Sequence, residues 1–106
     1  MSAPGFEPLE RDVKADCIAL WRGIGGEVYD TSSRRESPIR PAGFPDLVIL
    51  LPRGLGIATH EVKRPKGKSS DGQIHYAAKA RDANAFHVVG GMEELRAALE
   101  LRDLLL

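Results

Sequence analysis

The chain has 106 residues, a formal net charge of zero, 42% hydrophobic residues and a single cysteine. That length bounds it to one domain with a modest core, and the composition is that of a soluble globular protein. No apolar run approaches the ~20 residues that a bilayer span needs, no signal peptide is visible, and a lone Cys17 excludes an internal disulfide and fits a reducing, cytoplasmic setting.

Residues 1–8 hold two prolines and a glycine and read as an irregular lead-in. From about Leu9 to Gly23, Leu9, Val13, Cys17, Leu20 and Trp21 make one apolar stripe at helical spacing. Cys17 and Trp21 lie on that stripe and read as core. Gly23, Gly25 and Gly26 end the helix. Glu27 to Thr31 reads as a first strand with Val28 inward. The stretch from Thr31 to Pro38 is polar and loop-like, and its hydroxyls and arginines suit phosphate contacts. Gly43 permits a tight approach of the backbone, and Pro45 fixes φ just before Asp46.

Asp46 to Leu51 is apolar after its first residue and reads as a central strand covered on both faces. Pro52-Arg53-Gly54-Leu55 reads as a two-residue turn with Gly54 at positive φ. If Pro52 faces Leu55, paired positions sum to 107 and Asp46 faces Glu61. On the return strand, Leu55 to Lys63, alternation puts Ile57, Thr59, Glu61 and Lys63 on one face and Gly56, Ala58, His60 and Val62 on the other. Small residues at Gly56 and Ala58 would let a helix pack closely, and His60 reads as structural. Arg64 to Ser70 is a basic loop, with Ser70 as N-cap of a helix from Asp71 to about Ala83. Gln73 and Tyr76, three residues apart, share a face of that helix. Phe86 to Val89 is a short buried strand, Gly90-Gly91 turns the chain, and Met92 to about Leu101 is a last helix. The three terminal leucines are expected to dock on the fold or on a second subunit.

Two carboxylates facing each other across a hairpin repel. A divalent cation removes that penalty. Mg²⁺ prefers oxygen ligands, takes one or two carboxylates and keeps several waters. Such an ion polarises a phosphoryl oxygen and activates water, while a neighbouring lysine orients the attacking water or offsets transition-state charge. P-D opening one apolar strand and E-x-K ending the next therefore point to metal-assisted phosphodiester hydrolysis, against the bland reading of solvated charges at strand ends. Residues 31–70 hold eight basic residues and three acids, a balance of +5 that suits a polyanion drawn past a metal. An HNH-type site from His60, Asn84 and His87 lacks the hairpin and helix context that it requires.

Gly43-Phe44-Pro45-Asp46-Leu47, then His60-Glu61-Val62-Lys63-Arg64-Pro65, then Gln73 and Tyr76 together resemble the virus-type replication-repair nuclease (VRR-NUC) family of the PD-(D/E)xK nuclease superfamily. The resemblance runs from about Asp12 to about Leu99. It implies a single α/β domain over 1–106 with a restriction-endonuclease-like αβββαβ core, a mixed four-stranded sheet flanked by helices. It implies a cation held by Asp46, Glu61 and the main-chain carbonyl of Val62, with Lys63 and Gln73 assisting catalysis. The family also carries an acid on the first helix. Asp12 matches it best, or Glu10 in a shifted register, although Lys14 stands where the family has a glutamine. Expected DNA contacts are Ser32, Ser33, Arg34, Arg35, Arg40, Arg64, Lys66, Lys68 and Tyr76. The implied cofactor is Mg²⁺, with Mn²⁺ as a substitute and no organic cofactor. The implied substrate is branched DNA such as a four-way junction. The implied assembly is a homodimer, in a bacterial or phage-infected cell and close to the nucleoid. Two other readings stay open: a non-catalytic DNA-binding or scaffolding domain on the same fold, and a restriction-like enzyme reading a sequence.

Overall fold

The computed structural model describes residues 9–32 and 41–105. In chain order they form α1 (Glu10–Gly23), β1 (Glu27–Asp30), β2 (Leu47–Leu50), β3 (Ile57–Val62), α2 (Asp71–Asp82), β4 (Phe86–Gly90) and α3 (Met92–Leu101). The four strands lie side by side in sequence order. β1–β2 and β2–β3 are antiparallel, and β3–β4 is parallel across the α2 crossover. This is the expected mixed sheet flanked by helices, with α3 added after the αβββαβ order.

The hairpin has the register read from its turn. Leu47 pairs with His60, Val48 with Thr59, Ile49 with Ala58 and Leu50 with Ile57, each summing to 107. Arg53 and Gly54 both take positive φ, 56° and 72°, as a type I′ turn requires. Leu55 N–H donates to Pro52 O at 3.1 Å, and Leu51 N–H to Gly56 O at 2.9 Å.

Alternation then sorts the sheet into two unlike faces. α1 contributes Val13, Cys17 and Trp21 to the core, the strands Leu47, Ile49, Ala58, Val62 and Val88, and α3 Leu95 and Leu99. Trp21 meets Phe86 edge-on at 5.7 Å on this side, while the next residue, His87, meets Tyr76 of α2 at 4.9 Å. α1 and α3 therefore cover one face and α2 the other. Leu104 and Leu105 pack against the core as expected of the terminal leucines, and Leu106 lies outside the described residues.

Two expectations need correction. β2 is not covered on both faces: Leu47 and Ile49 are fully buried, but Leu50 is 42% exposed and its partner Ile57 61%. The reason is that, among the described residues, the helix on that side, α2, packs chiefly against β4. Gly56, moreover, makes no room for a helix. A Cβ there would meet nothing within 4 Å, so close packing is the property of Ala58 alone, at 0% exposure.

His60 is a core residue, as the sequence suggests. It is fully buried, and the Trp21 indole N–H donates to its Nδ1 at 2.9 Å. Indole can only donate, so Nδ1 accepts and Nε2 carries the proton. That Nε2–H donates to the Gly90 carbonyl at 2.9 Å. The same carbonyl accepts the backbone N–H of Lys63 at 3.1 Å.

Candidate active site

The site is built by strand geometry at the open end of the β2–β3 hairpin. The Leu51–Gly56 bond fixes which cross-strand pairs exchange hydrogen bonds, and these alternate along an antiparallel ladder. Continued by one step beyond Leu47–His60, this register would set Asp46 opposite Glu61 in a pair of the other kind, in which side chains approach most closely. Asp46 is also fixed from the β1 side. Thr31 donates to its carbonyl through both N–H (2.8 Å) and Oγ1 (3.1 Å), and Thr31 Oγ1 reaches Pro45 O at 2.5 Å.

From behind, the PD segment rests on α2. Gly43 has φ +83°, and a Cβ there would lie 2.2 Å from the carbonyl carbon of Gly72. Only glycine at 43 lets the loop sit on the first turn of α2. Phe44 then meets Tyr76 edge-on at 6.4 Å.

Glu61 is 2% exposed. Its Oε2 accepts from Ser69 Oγ at 2.6 Å and faces Lys63 Nζ at 3.7 Å, with Lys63 itself only 16% exposed. The Asp46 Oδ2 accepts the backbone N–H of Val62 at 2.9 Å. In an extended strand the N–H and C=O of one residue point to the same side, so the Val62 carbonyl also faces Asp46. Asp46, Glu61 and Lys63 are thus brought together, with Val62 backbone groups between the acids.

The donor set fits a hard cation. Two carboxylate groups and a carbonyl are oxygen ligands of the kind that Mg²⁺ takes while retaining waters. Among the described residues no three His, Cys, Asp or Glu side chains cluster as a metal-binding group. Asp12 and Glu10 therefore do not join Asp46 and Glu61 in a three-acid set. Asp12 instead lines a cavity of about 480 Å³ with Asp16, Glu93 and Glu94, bordered by Lys63 and Pro65.

The other expected site residues fall on α2, on β1 and on the loop after β3. Gln73 sits in the first turn of α2, and its Oε1 accepts the Ser70 N–H at 2.8 Å while Ser70 Oγ accepts the Gln73 N–H at 3.2 Å. This reciprocal cap uses one lone pair of the amide oxygen, which leaves its second lone pair for a water and the amide NH₂ for a phosphate. Tyr76, expected as a DNA contact, is half-buried between Phe44 and His87 and packs beneath the PD segment. Ser32 donates to Asp30 Oδ1 at 2.7 Å and accepts from Lys14 Nζ at 2.8 Å. Lys14 also pairs with Asp30 at 2.9 Å. These bonds give the departure from the family's glutamine a structural role: Lys14 ties α1 to the end of β1. Burial alone would raise the Asp30 pKa, but hydrogen bonds from Ser32 and Lys14, with the lysine charge, bring it below the ordinary value. Arg64, Lys66 and Lys68 are exposed on the loop after β3. Ser33, Arg34, Arg35 and Arg40 lie outside the described residues.

Sequence reasoning missed Ser69 and His87. The Thr59 hydroxyl and His87 Nδ1 are 2.7 Å apart. Burial pushes the His87 pKa down, against an opposing pull from the Glu61 carboxylate. The parity of Thr59 and Glu61 on β3 was the available signal for His87. For Ser69 there was none, because a loop has no periodicity to read.

No protein-family model matches the chain, and no curated protein does. A solved structure described as "VRR_NUC domain" does match, at 26% sequence identity and a TM-score of 0.63. The match covers 89% of this chain and 94% of that one. The resemblance read from the motifs thus extends to the whole fold.

Proposed function

We infer that this chain, a VRR-NUC-type domain with a nuclease fold, is a divalent-cation-dependent endonuclease acting on branched DNA. The observation that carries the reading is the convergence at one hairpin end. The register continued by one residue sets Asp46 opposite Glu61, the Asp46 carboxylate accepts the Val62 N–H at 2.9 Å, and Lys63 Nζ stands 3.7 Å from the Glu61 carboxylate. Glu61 is 2% exposed and is supported there by the Ser69 hydroxyl and the Lys63 ammonium, so the fold keeps an ionisable ligand in place at a cost that a cation-binding role explains.

Asp46, Glu61 and the Val62 carbonyl are the groups that would hold the cation. When bound, Mg²⁺ or Mn²⁺ polarises the phosphoryl oxygen and lowers the pKa of the attacking water. Lys63 orients that water on the phosphorus and, as an ammonium, offsets charge on the phosphorane-like transition state. In-line attack forms the new P–O bond as the P–O3′ bond breaks, leaving a 3′-hydroxyl and a 5′-phosphate. Arg64, Lys66 and Lys68 lie one to five residues beyond Lys63 and suit phosphates flanking the scissile one. One chain makes one cut, so a two-fold pair of chains would present two sites for paired incisions in a symmetric junction.

The test is Mg²⁺-dependent cutting of four-way, flapped and linear DNA by the wild type and by Lys63→Ala. Preferential cutting of branched DNA by the wild type, and a loss of at least about 100-fold in the variant, is expected. Binding of DNA without cutting would instead favour the non-catalytic module. Equal activity in the two proteins would remove Lys63 from the mechanism.

A further inference from the structure

We propose that Ser69 is a positioning residue for the cation site: its hydroxyl holds the Glu61 carboxylate so that Oε1 is presented as the ligand oxygen. The inference rests on the metal-site reading above and adds a residue to it. Ser69 Oγ–H donates to Glu61 Oε2 at 2.6 Å, and Lys63 Nζ approaches the same oxygen at 3.7 Å. Both contacts converge on Oε2, which makes Oε1 the oxygen free of Ser69 and Lys63. With Glu61 at 2% exposure, little solvent is at hand to replace a lost donor.

The two contacts are not equivalent during a reaction. At 3.7 Å the Lys63 ammonium lies beyond hydrogen-bond distance of Oε2, whereas the Ser69 hydroxyl at 2.6 Å is within it. When the ammonium turns to the reacting group, the Ser69 hydroxyl keeps the carboxylate aimed. Partners that orient a ligating carboxylate in this way commonly matter to metal affinity by about 10-fold or more.

The backbone around Ser69 is prepared for the task. Ser70, its neighbour, is engaged in the reciprocal cap with Gln73, which fixes the start of α2 and with it the reach of Ser69. Adjacent serines thus divide two jobs, one closing the helix and the other reaching the acid. The loop that Ser69 ends also carries Arg64, Lys66 and Lys68. The segment suited to phosphate contact is therefore tied through the Ser69 hydroxyl to the Glu61 carboxylate.

The experiment is calorimetric titration of the full chain with Mn²⁺, without DNA, for the wild type, Asp46→Asn, Ser69→Ala and Ser69→Thr. Thermal unfolding of each protein serves as the check on folding. Wild type should bind, and Asp46→Asn should abolish binding. Ser69→Ala should weaken binding by about 10-fold, and Ser69→Thr, which keeps the hydroxyl, should recover most of that loss. Wild-type affinity in a folded Ser69→Ala, with Asp46→Asn still inactive in binding, overturns the role of Ser69 and leaves the metal site standing. If Ser69→Ala does not fold, a Ser69→Thr protein that folds but binds at least about 10-fold more weakly than wild type overturns it equally. Absence of Asp46-dependent binding in the wild type overturns the metal-site reading itself, and the Ser69 proposal with it.

Discussion

The backbone N–H of Val62 donates to the Asp46 carboxylate at 2.9 Å, so the strand that carries one acid of the site orients the other. Asp46→Asn keeps an oxygen for that N–H and removes the charge facing Glu61. The stability of the variant should stay within about 1 kcal/mol of wild type, while Mg²⁺-dependent cutting falls by at least about 100-fold. Urea unfolding and a junction-cleavage assay measure the two quantities separately.

Acid sensitivity should be traceable to His60. Burial pushes its pKa down from 6.5 to about 4. A histidine held neutral in the fold contributes stability that is fully present above its unfolded pKa. That stability is lost as pH falls from about 6.5 toward about 4, and the shift corresponds to about 3 kcal/mol at its fullest. Urea midpoints measured at about pH 7, 5.5 and 4.5 should therefore decline. In His60→Gln the starting stability is lower, because the Trp21 indole N–H and Gly90 carbonyl lose their shared partner, and the decline over this window is smaller.

Gly43→Ala should damage the fold more than its size suggests. The added Cβ would lie 2.2 Å from the Gly72 carbonyl carbon, at a φ of +83° that disfavours any side chain. A loss of roughly 2 kcal/mol or more is expected, with a lowered melting temperature and reduced cutting, since the same loop delivers Asp46. Gly23→Ala is the control, because a Cβ there meets nothing within 4 Å.

DNA affinity should depend on the loop after β3 through charge alone. Arg64→Ala combined with Lys68→Ala should reduce the slope of log affinity against log salt by about 2, on the scale of about 0.9 per phosphate neutralised on duplex DNA. The metal-binding isotherm should be unchanged. Fluorescence anisotropy with a labelled four-way junction across a salt series gives the slope.

The parts of the fold that were legible in the sequence are those governed by periodicity and turn chemistry. The Arg53-Gly54 turn set the register from Leu50–Ile57 to Leu47–His60, which leads to Asp46 and Glu61 at the open end. The apolar stripe through Val13, Cys17 and Trp21 became the buried face of α1. Coverage was misjudged for Leu50 and Ile57, because an apolar strand does not reveal how far across the sheet a single helix extends. Gly56 was misread because a small residue beside a turn has the same sequence signature as one beneath a helix. Ser69 and the Lys14–Asp30–Ser32 cluster were invisible because side-chain bonds between distant loops and helices leave no pattern in spacing.

The Gly90 carbonyl takes one hydrogen bond from the His60 ring and another from the backbone of Lys63. Through it, the indole buried under the sheet is mechanically linked to the chain that carries the reactive ammonium. Trp21 is itself fully buried, so a substitution there would loosen together the core and, through His60 and Gly90, the placement of Lys63.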